Sequence, residues 1–359
     1  MRRLLALALA LAFIVLPLAA QAWGPDGHQT VGAIAAGLLR GTPTEARVAA
    51  LLGDMDLQLA TLWADCAKGV SPGQDYAYPA PGKYADCGPL ETPERIAEMT
   101  DYVRRNDRQC QLGPDEDACH RQTHYADIAL QRRRYEAGLA GTRPDDVVGA
   151  LRQAIRVLQG RPAPGQPQLS GPREALLVLV HLVGDIHQPL HVAAPYLDAH
   201  GHPVDPDRQG LDPATFTIGG NSLWLAPPAS PAAGSSGPPS PAKLHTLWDA
   251  VPTALKPAQV DAAWLAEARR VTPTPGDPAD WPASWATQSL AQARLAYAGL
   301  RYADKDGTHW AVTLPAAYTA RADAMKRQQL TLAGARLAQL LKAVLAGPAD
   351  QPRRVDMLR

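Results

Sequence analysis

His181-Leu-Val-Gly-Asp185-Ile-His187-Gln-Pro-Leu-His191 places three imidazoles and one carboxylate within eleven residues. On a helix, His181 and Asp185 sit one turn apart on the same face. Pro189 ends such a helix near Gln188, so His191 returns from the turn that follows. Imidazole nitrogen and carboxylate oxygen at this spacing are what a zinc site needs, and they are costly to bury for any other purpose. Further candidates lie far away in sequence: His28, Asp65 in Trp63-Ala-Asp65, His124 in His124-Tyr-Ala-Asp127, and a second i, i+4 pair, His245 and Asp249. Together these are too many side chains for one zinc and sufficient for two or three. His187 falls on another helical face from His181 and reads as structural. His120, His200, His202 and His309 fall in loops and read as solvent-exposed. No H-E-x-x-H motif and no Gly-rich P-loop occurs. Asp205-Pro-Asp207-Arg-Gln-Gly210 fails as a calcium loop because its twelfth position is Phe216.

The frame that must position these groups begins after an export signal. Arg2-Arg3, the apolar run from Leu4 to Leu18 and Ala20-Gln21-Ala22 form an n-region, an h-region and a cleavage site. The mature chain is therefore expected to start at Trp23. Lysine plus arginine equals aspartate plus glutamate, at 35 each. With no long basic run, a sequence-independent electrostatic grip on duplex DNA is not expected, and any phosphate recognition should be local. The four cysteines, Cys66, Cys87, Cys110 and Cys119, read as two disulfides of an exported protein. A nested pairing, Cys66 with Cys119 and Cys87 with Cys110, is the expectation, pinning the ends of one insertion.

The periodicity is helical almost throughout. Helices are expected over 46–52 (behind the capping box Thr42-Pro-Thr-Glu45), 55–67, 144–158, 172–188, 259–270, 285–300 and 331–345. Residues 215–225 could hold a short hairpin. Linkers at 71–93, 159–171 and 226–242 do not separate domains, because candidate ligands lie on both sides of each. The expectation is one all-α domain over 23–347 with long loops, followed by a loose tail over 348–359.

Trp23 with His28, then Asp65, His124, His181-x3-Asp185-x5-His191 and His245-x3-Asp249, in that order, resembles the zinc-dependent single-strand nucleases of the S1/P1 type. That family shares its mainly helical fold with bacterial zinc phospholipase C, and the resemblance covers nearly the whole mature chain. It implies three zinc ions. Asp65, His124, His181 and Asp185 would hold the first, and His191, His245 and Asp249 the second. The third would take His28, Asp185 and Trp23 through its α-amine and carbonyl, with Asp185 bridging the first and third. The implied reaction is endonucleolytic cleavage of single-stranded DNA and RNA to 5′-phosphates, with 3′-nucleotidase activity, by a hydroxide held between zincs. Asp65 and Asp185 would serve catalysis, with Lys68 at the phosphate. Tyr125 would stack on the base, and Asp127 and Asn221 would hydrogen-bond it. No stable protein partner and no membrane anchor after cleavage are implied, and the location is secreted or periplasmic.

The main competitor is a zinc phospholipase C. Asp249 argues against it, since the phospholipases carry Glu at the corresponding ligand. A non-catalytic zinc-binding exported protein is the third reading. An α-amine titrates near 7.7–8.0, far below lysine, and so yields its proton readily to a metal. One extra residue ahead of Trp23 in the mature protein should therefore remove the third zinc and the activity. Zinc analysis showing three ions with full activity in that variant would refute the terminal site.

Overall fold

A computed structural model describes residues 23–107, 119–225 and 242–346. The proposed export signal, the tail over 348–359, most of the 226–242 linker and Cys110 lie outside these residues.

Helix α1 (Pro25–Leu39) starts on Gly24-Pro25, with proline at a position whose N–H has no helical acceptor. Helix α2 (Pro43–Leu52) uses the expected cap, Thr42 Oγ1 accepting from the Glu45 N–H, while Glu45 reaches back to the Gly41 N–H at 2.7 Å. The expected helix over 55–67 is broken into α3 (Leu57–Ala60) and α4 (Trp63–Ala67). The break has a use: it frees the Thr61 carbonyl, which accepts from His181 Nδ1 at 2.6 Å. Helix α5 (Pro93–Asp107) was not expected from sequence, and α6 (Cys119–Gln122) follows it. Helix α7 (Val147–Leu158) is capped by Asp146, whose Oδ1 accepts from the Val148 and Gly149 N–H groups at 3.0 Å.

Helix α8 (Pro172–Asp185) is buried on every side from Glu174 onward, as expected for a helix apolar all round. It packs on α7, α13, α4, α2 and α1. It stops at Asp185, three residues before the expected end, because the chain tightens into 3₁₀-type turns ahead of Pro189. The remaining helices are α9 (Pro206–Gln209), α10 (Leu244–Asp249), α11 (Ala262–Ala268), α12 (Trp281–Tyr297) and α13 (Tyr318–Val344).

Strands are few and short. β1 (Ile128–Ala129) pairs in parallel with β2 (Ala193–Ala194), and β3 (Tyr196–Leu197) pairs antiparallel with β4 (Pro203–Val204). β5 (Leu223–Leu225) adds in parallel to the hairpin of β6 (Arg301–Asp306) and β7 (His309–Thr313). The hairpin is therefore at 301–313 and not at 215–225. Its turn is Gly307-Thr308, with Gly307 at φ +58°.

The nested disulfides are corrected. Cys66 on α4 bonds Cys87, which lies in a 3₁₀ segment (Ala85–Leu90) packed against α4. The chain doubles back at once and does not bracket the insertion. Cys119 is also disulfide-bonded. Among the described residues no helix is long and apolar enough to cross a membrane.

Helices α1 and α13 cross closely at Gly334. A Cβ there would lie 2.5 Å from Ile34 Cβ and 3.2 Å from the Val31 carbonyl. Gly334→Ala gains about 1 kcal/mol of helix propensity but overpacks rigid neighbours at a cost of about 1–3 kcal/mol. The overpacking should win, lowering stability in urea unfolding. A stabilised variant would show that the crossing has slack.

Candidate metal centre

The candidate ligands converge from α1, α4, the loop after α6, α8, the turn after α8, and α10. Three buried groups result: His28, His181 and Asp185; Asp65, His124 and His181; and His191, His245 and Asp249. Within each, the candidate donor atoms lie within 4.8 Å of one another.

The ring orientations are fixed from behind. His181 Nδ1–H donates to the Thr61 carbonyl at 2.6 Å, His191 Nδ1–H to the His124 carbonyl at 3.0 Å, and His245 Nδ1–H to the Gly219 carbonyl at 2.7 Å. Each bond commits Nδ1 as the donor and leaves Nε2 a bare lone pair pointing inward. The consequence is a set of confrontations that proteins do not tolerate unaided. His191 Nε2 faces His245 Nε2 at 3.1 Å, two acceptors with no proton between them. His181 Nε2 lies 3.2 Å from Asp185 Oδ2 and 3.5 Å from Asp65 Oδ1. Both ring nitrogens of His28 and Asp185 Oδ1 are buried without a hydrogen bond. Cations placed among these atoms would resolve the conflict, and the donor set, imidazole with carboxylate, suits zinc.

The two oxygens of Asp185 point different ways. Oδ2 lies 2.9 Å from His124 Nδ1 and 3.2 Å from His181 Nε2, whereas Oδ1 lies 3.4 Å from His28 Nε2. The carboxylate thus stands between two groups. Burial, with the neighbouring His181, lowers the His28 pKa to about 4; burial and Lys68 lower that of His124 to about 3. Both rings are therefore held neutral, as ligands must be. Burial also depresses His181, but Asp185 and Asp65 outweigh it and raise the pKa. Burial drives the Asp249 carboxyl well above the usual range, which reflects the cost of an anion there with no counter-ion.

Several supports were not visible in the sequence reading. Gln188 caps the turn to His191 through Leu190 N–H at 2.7 Å, and its amide donates to Asp249 Oδ1 at 3.0 Å. Lys326 of α13, itself buried, donates to the Leu247 and Ala250 carbonyls at 2.8 and 2.7 Å. It thereby neutralises the C-terminal end of the helix that carries His245 and Asp249. Gly184 leaves room for His28, whose Nδ1 would lie 2.7 Å from a Cβ there. Trp23 is fully buried, with its indole N–H on the Gly184 carbonyl at 3.0 Å.

His187 holds no place in any group. Its Nδ1–H donates to the Val183 carbonyl at 2.7 Å, and Nε2 accepts from Arg336 at 2.9 Å. His200 and His202 are exposed as expected. His120 is not: it is buried on α6, with its pKa lowered to about 3 by burial. His309 is half-buried, stacked on Trp224 at 3.9 Å.

A cleft opens over the centre. Lys68, Tyr125, Asp127 and Asn221 all line it, with Arg121, which the sequence reading passed over. Lys68 is buried, its Nζ 2.6 Å from Asp65 Oδ1. Arg121 donates to the Lys68 carbonyl at 2.9 Å. Ile218, at φ +52°, adopts a conformation rare for a β-branched residue. That turn delivers the Gly219 carbonyl to His245 and Asn221 to the cleft.

A family model described as S1/P1 Nuclease matches residues 23–346. Among curated proteins, none matches this chain. Metal bound only by the folded state stabilises it by about 4 kcal/mol at a thousandfold excess over Kd. Stripping the protein with a chelator should thus lower Tm by about 6 °C, and added zinc should restore it. A melting curve indifferent to both treatments would remove the metal centre.

Proposed function

The chain belongs to the S1/P1 nuclease family, whose members are zinc-dependent nucleases, and on that premise we propose that it cleaves single-stranded DNA and RNA to 5′-phosphate products and also dephosphorylates 3′-nucleotides. The observation that carries this reading is one cleft in which His124, His191 and His245, drawn from two of the three candidate metal groups, stand beside Lys68, Tyr125, Asp127 and Asn221.

The proposed assignment gives Asp65, His124, His181 and Asp185 to one zinc, and His191, His245 and Asp249 to another. His28, Asp185 and the α-amine and carbonyl of Trp23 would hold the third. The opposed oxygens of Asp185 support its bridging role. The buried indole of Trp23 beside Gly184 supports a terminus held against His28. When bound, zinc supplies Lewis acidity toward phosphoryl oxygens and acidifies water, so that hydroxide is available near neutral pH.

The chain's own residues do the rest. Lys68 offers a fixed point charge to the phosphoryl group as negative charge develops. Its pairing with Asp65 keeps the ammonium in the cleft and out of solvent. Tyr125 gives a base an aromatic face, and the Asp127 carboxylate and Asn221 amide give its edge hydrogen-bonding partners. A stacking platform accepts any base but demands one that is unstacked. That accounts for single-strand preference on a chain with no net positive charge. Export is part of the proposal, because Trp23 can offer its amine only once residues 1–22 are removed; the Cys66–Cys87 disulfide fits an oxidising compartment.

Two measurements test the reading. Denatured DNA, RNA and 3′-AMP should all be turned over, and phosphatidylcholine should not; turnover of lipid alone would replace the nuclease with a phospholipase. Asp185→Asn should reduce zinc content and lower hydrolysis by about 100-fold or more, whereas intact zinc and intact activity would rule out the bridge.

A further inference from the structure

The segment after Lys68 is built in a way that the metal centre does not require. Residues 71–77 fold into a tight turn, with Ser71 and Ala77 bridged and Asp75 and Tyr76 at positive φ. The chain then returns through Tyr78 and Tyr84 to Cys87, and the disulfide fastens it to Cys66, one residue from Asp65. Tyr78 and Tyr84 close on the bare backbone of Gly69, the neighbour of Lys68. A Cβ on Gly69 would stand 3.1 Å from Tyr84 Cε2 and 3.4 Å from Tyr78 Cε2. The two rings meet Gly69 through their edges, and both stay half-buried. Glu91 fixes the loop, accepting from the Gly82 N–H at 2.6 Å and from the Tyr78 hydroxyl at 3.4 Å. Lys83 Nζ lies 5.3 Å from the centroid of the Tyr84 ring. Arg121 crosses the same region to reach the Lys68 carbonyl.

Aromatic rings interleaved with cations beside a phosphate-facing lysine are the components of a single-strand binding path. From this we infer that Tyr84, backed by Tyr78, forms a second stacking subsite, for the base of the nucleotide that leaves with the 5′-phosphate. The base pocket of Tyr125, Asp127 and Asn221 serves one side of the scissile phosphate. The disulfide-pinned aromatic loop serves the other, beside Lys68, with Lys83 next to the Tyr84 ring and Arg121 on the Lys68 carbonyl as the nearby cations. A 3′-mononucleotide has no second base and does not use this subsite. The loop thus sets how strongly the enzyme prefers polymer over mononucleotide. The inference rests on the nuclease reading above.

The test compares three substrates with the zinc-loaded enzyme: 3′-AMP, the dinucleotide ApA, and the same dinucleotide with an abasic sugar at the downstream position. Wild-type enzyme should favour ApA over the abasic analogue by about 5- to 150-fold in kcat/KM, the range of one base–aromatic stack. Tyr84→Ala should abolish that ratio, and Tyr84→Phe should keep it. If the wild type cleaves ApA and its abasic analogue equally well, the subsite does not exist, whatever the variants do. A Tyr84→Ala enzyme that loses activity equally on 3′-AMP and ApA would also overturn it, by showing a merely structural role. Absence of hydrolysis of all three substrates by the wild type would instead overturn the nuclease reading itself.

Discussion

Buried lone pairs that face one another govern this molecule. The rings of His181, His191 and His245 are each held from behind by a backbone carbonyl, so their Nε2 atoms face inward. Asp65, Asp185 and Asp249 add carboxylate oxygens to the same small volume. Water cannot relieve so many acceptors at once, and protons alone would have to be shared against the burial that keeps His28 and His124 neutral. Much of the fold is arranged to hold this unfavourable set together until cations join it. The irregular features follow from that demand. The helix breaks at Thr61 to surrender a carbonyl, α8 stops short at Asp185, and Ile218 takes a strained conformation so that Gly219 can face His245.

The scaffold braces the candidate ligands through several independent contacts. β1 and β2, only two residues each, tie the segment after His124 to the segment after His191. Lys326 and Gln188 position Asp249 and its helix from opposite sides in sequence. By contrast, the loop over 71–90 is held chiefly by one disulfide, Glu91 and the contacts of its own tyrosines. The candidate metal ligands and the 71–90 loop are therefore fastened in different ways.

The centre was legible in the sequence because histidine and aspartate at helical spacing have few other uses inside a protein. Lys68, Tyr125, Asp127 and Asn221 were reached through resemblance, and the cleft does bring them together. What escaped were supports whose meaning is purely spatial. Arg336 satisfies His187 across 149 residues and Lys326 caps α10 across more than 70; no local pattern announces either. His120 read as a loop residue because its helix has only four residues. The β6–β7 hairpin did carry a signal, Asp306-Gly307, but its outward residues are too polar to show alternation. The cysteine pairing failed for a related reason: spacing counts residues, whereas the chain doubles back after Gly69.

Helix α13 spans 27 residues, about 40 Å of unbroken rod. Arg336 on it touches the histidine beside Asp185, and Lys326 clamps the helix of His245 and Asp249. Helices carrying ligands from different groups are thus braced against one continuous helix as well as through the connecting segments. Lineages could lengthen, shorten or rewrite those loops without detuning the reaction centre. A scaffold that keeps its candidate ligands on braced helices, apart from the loops that join them, is an evolvable one.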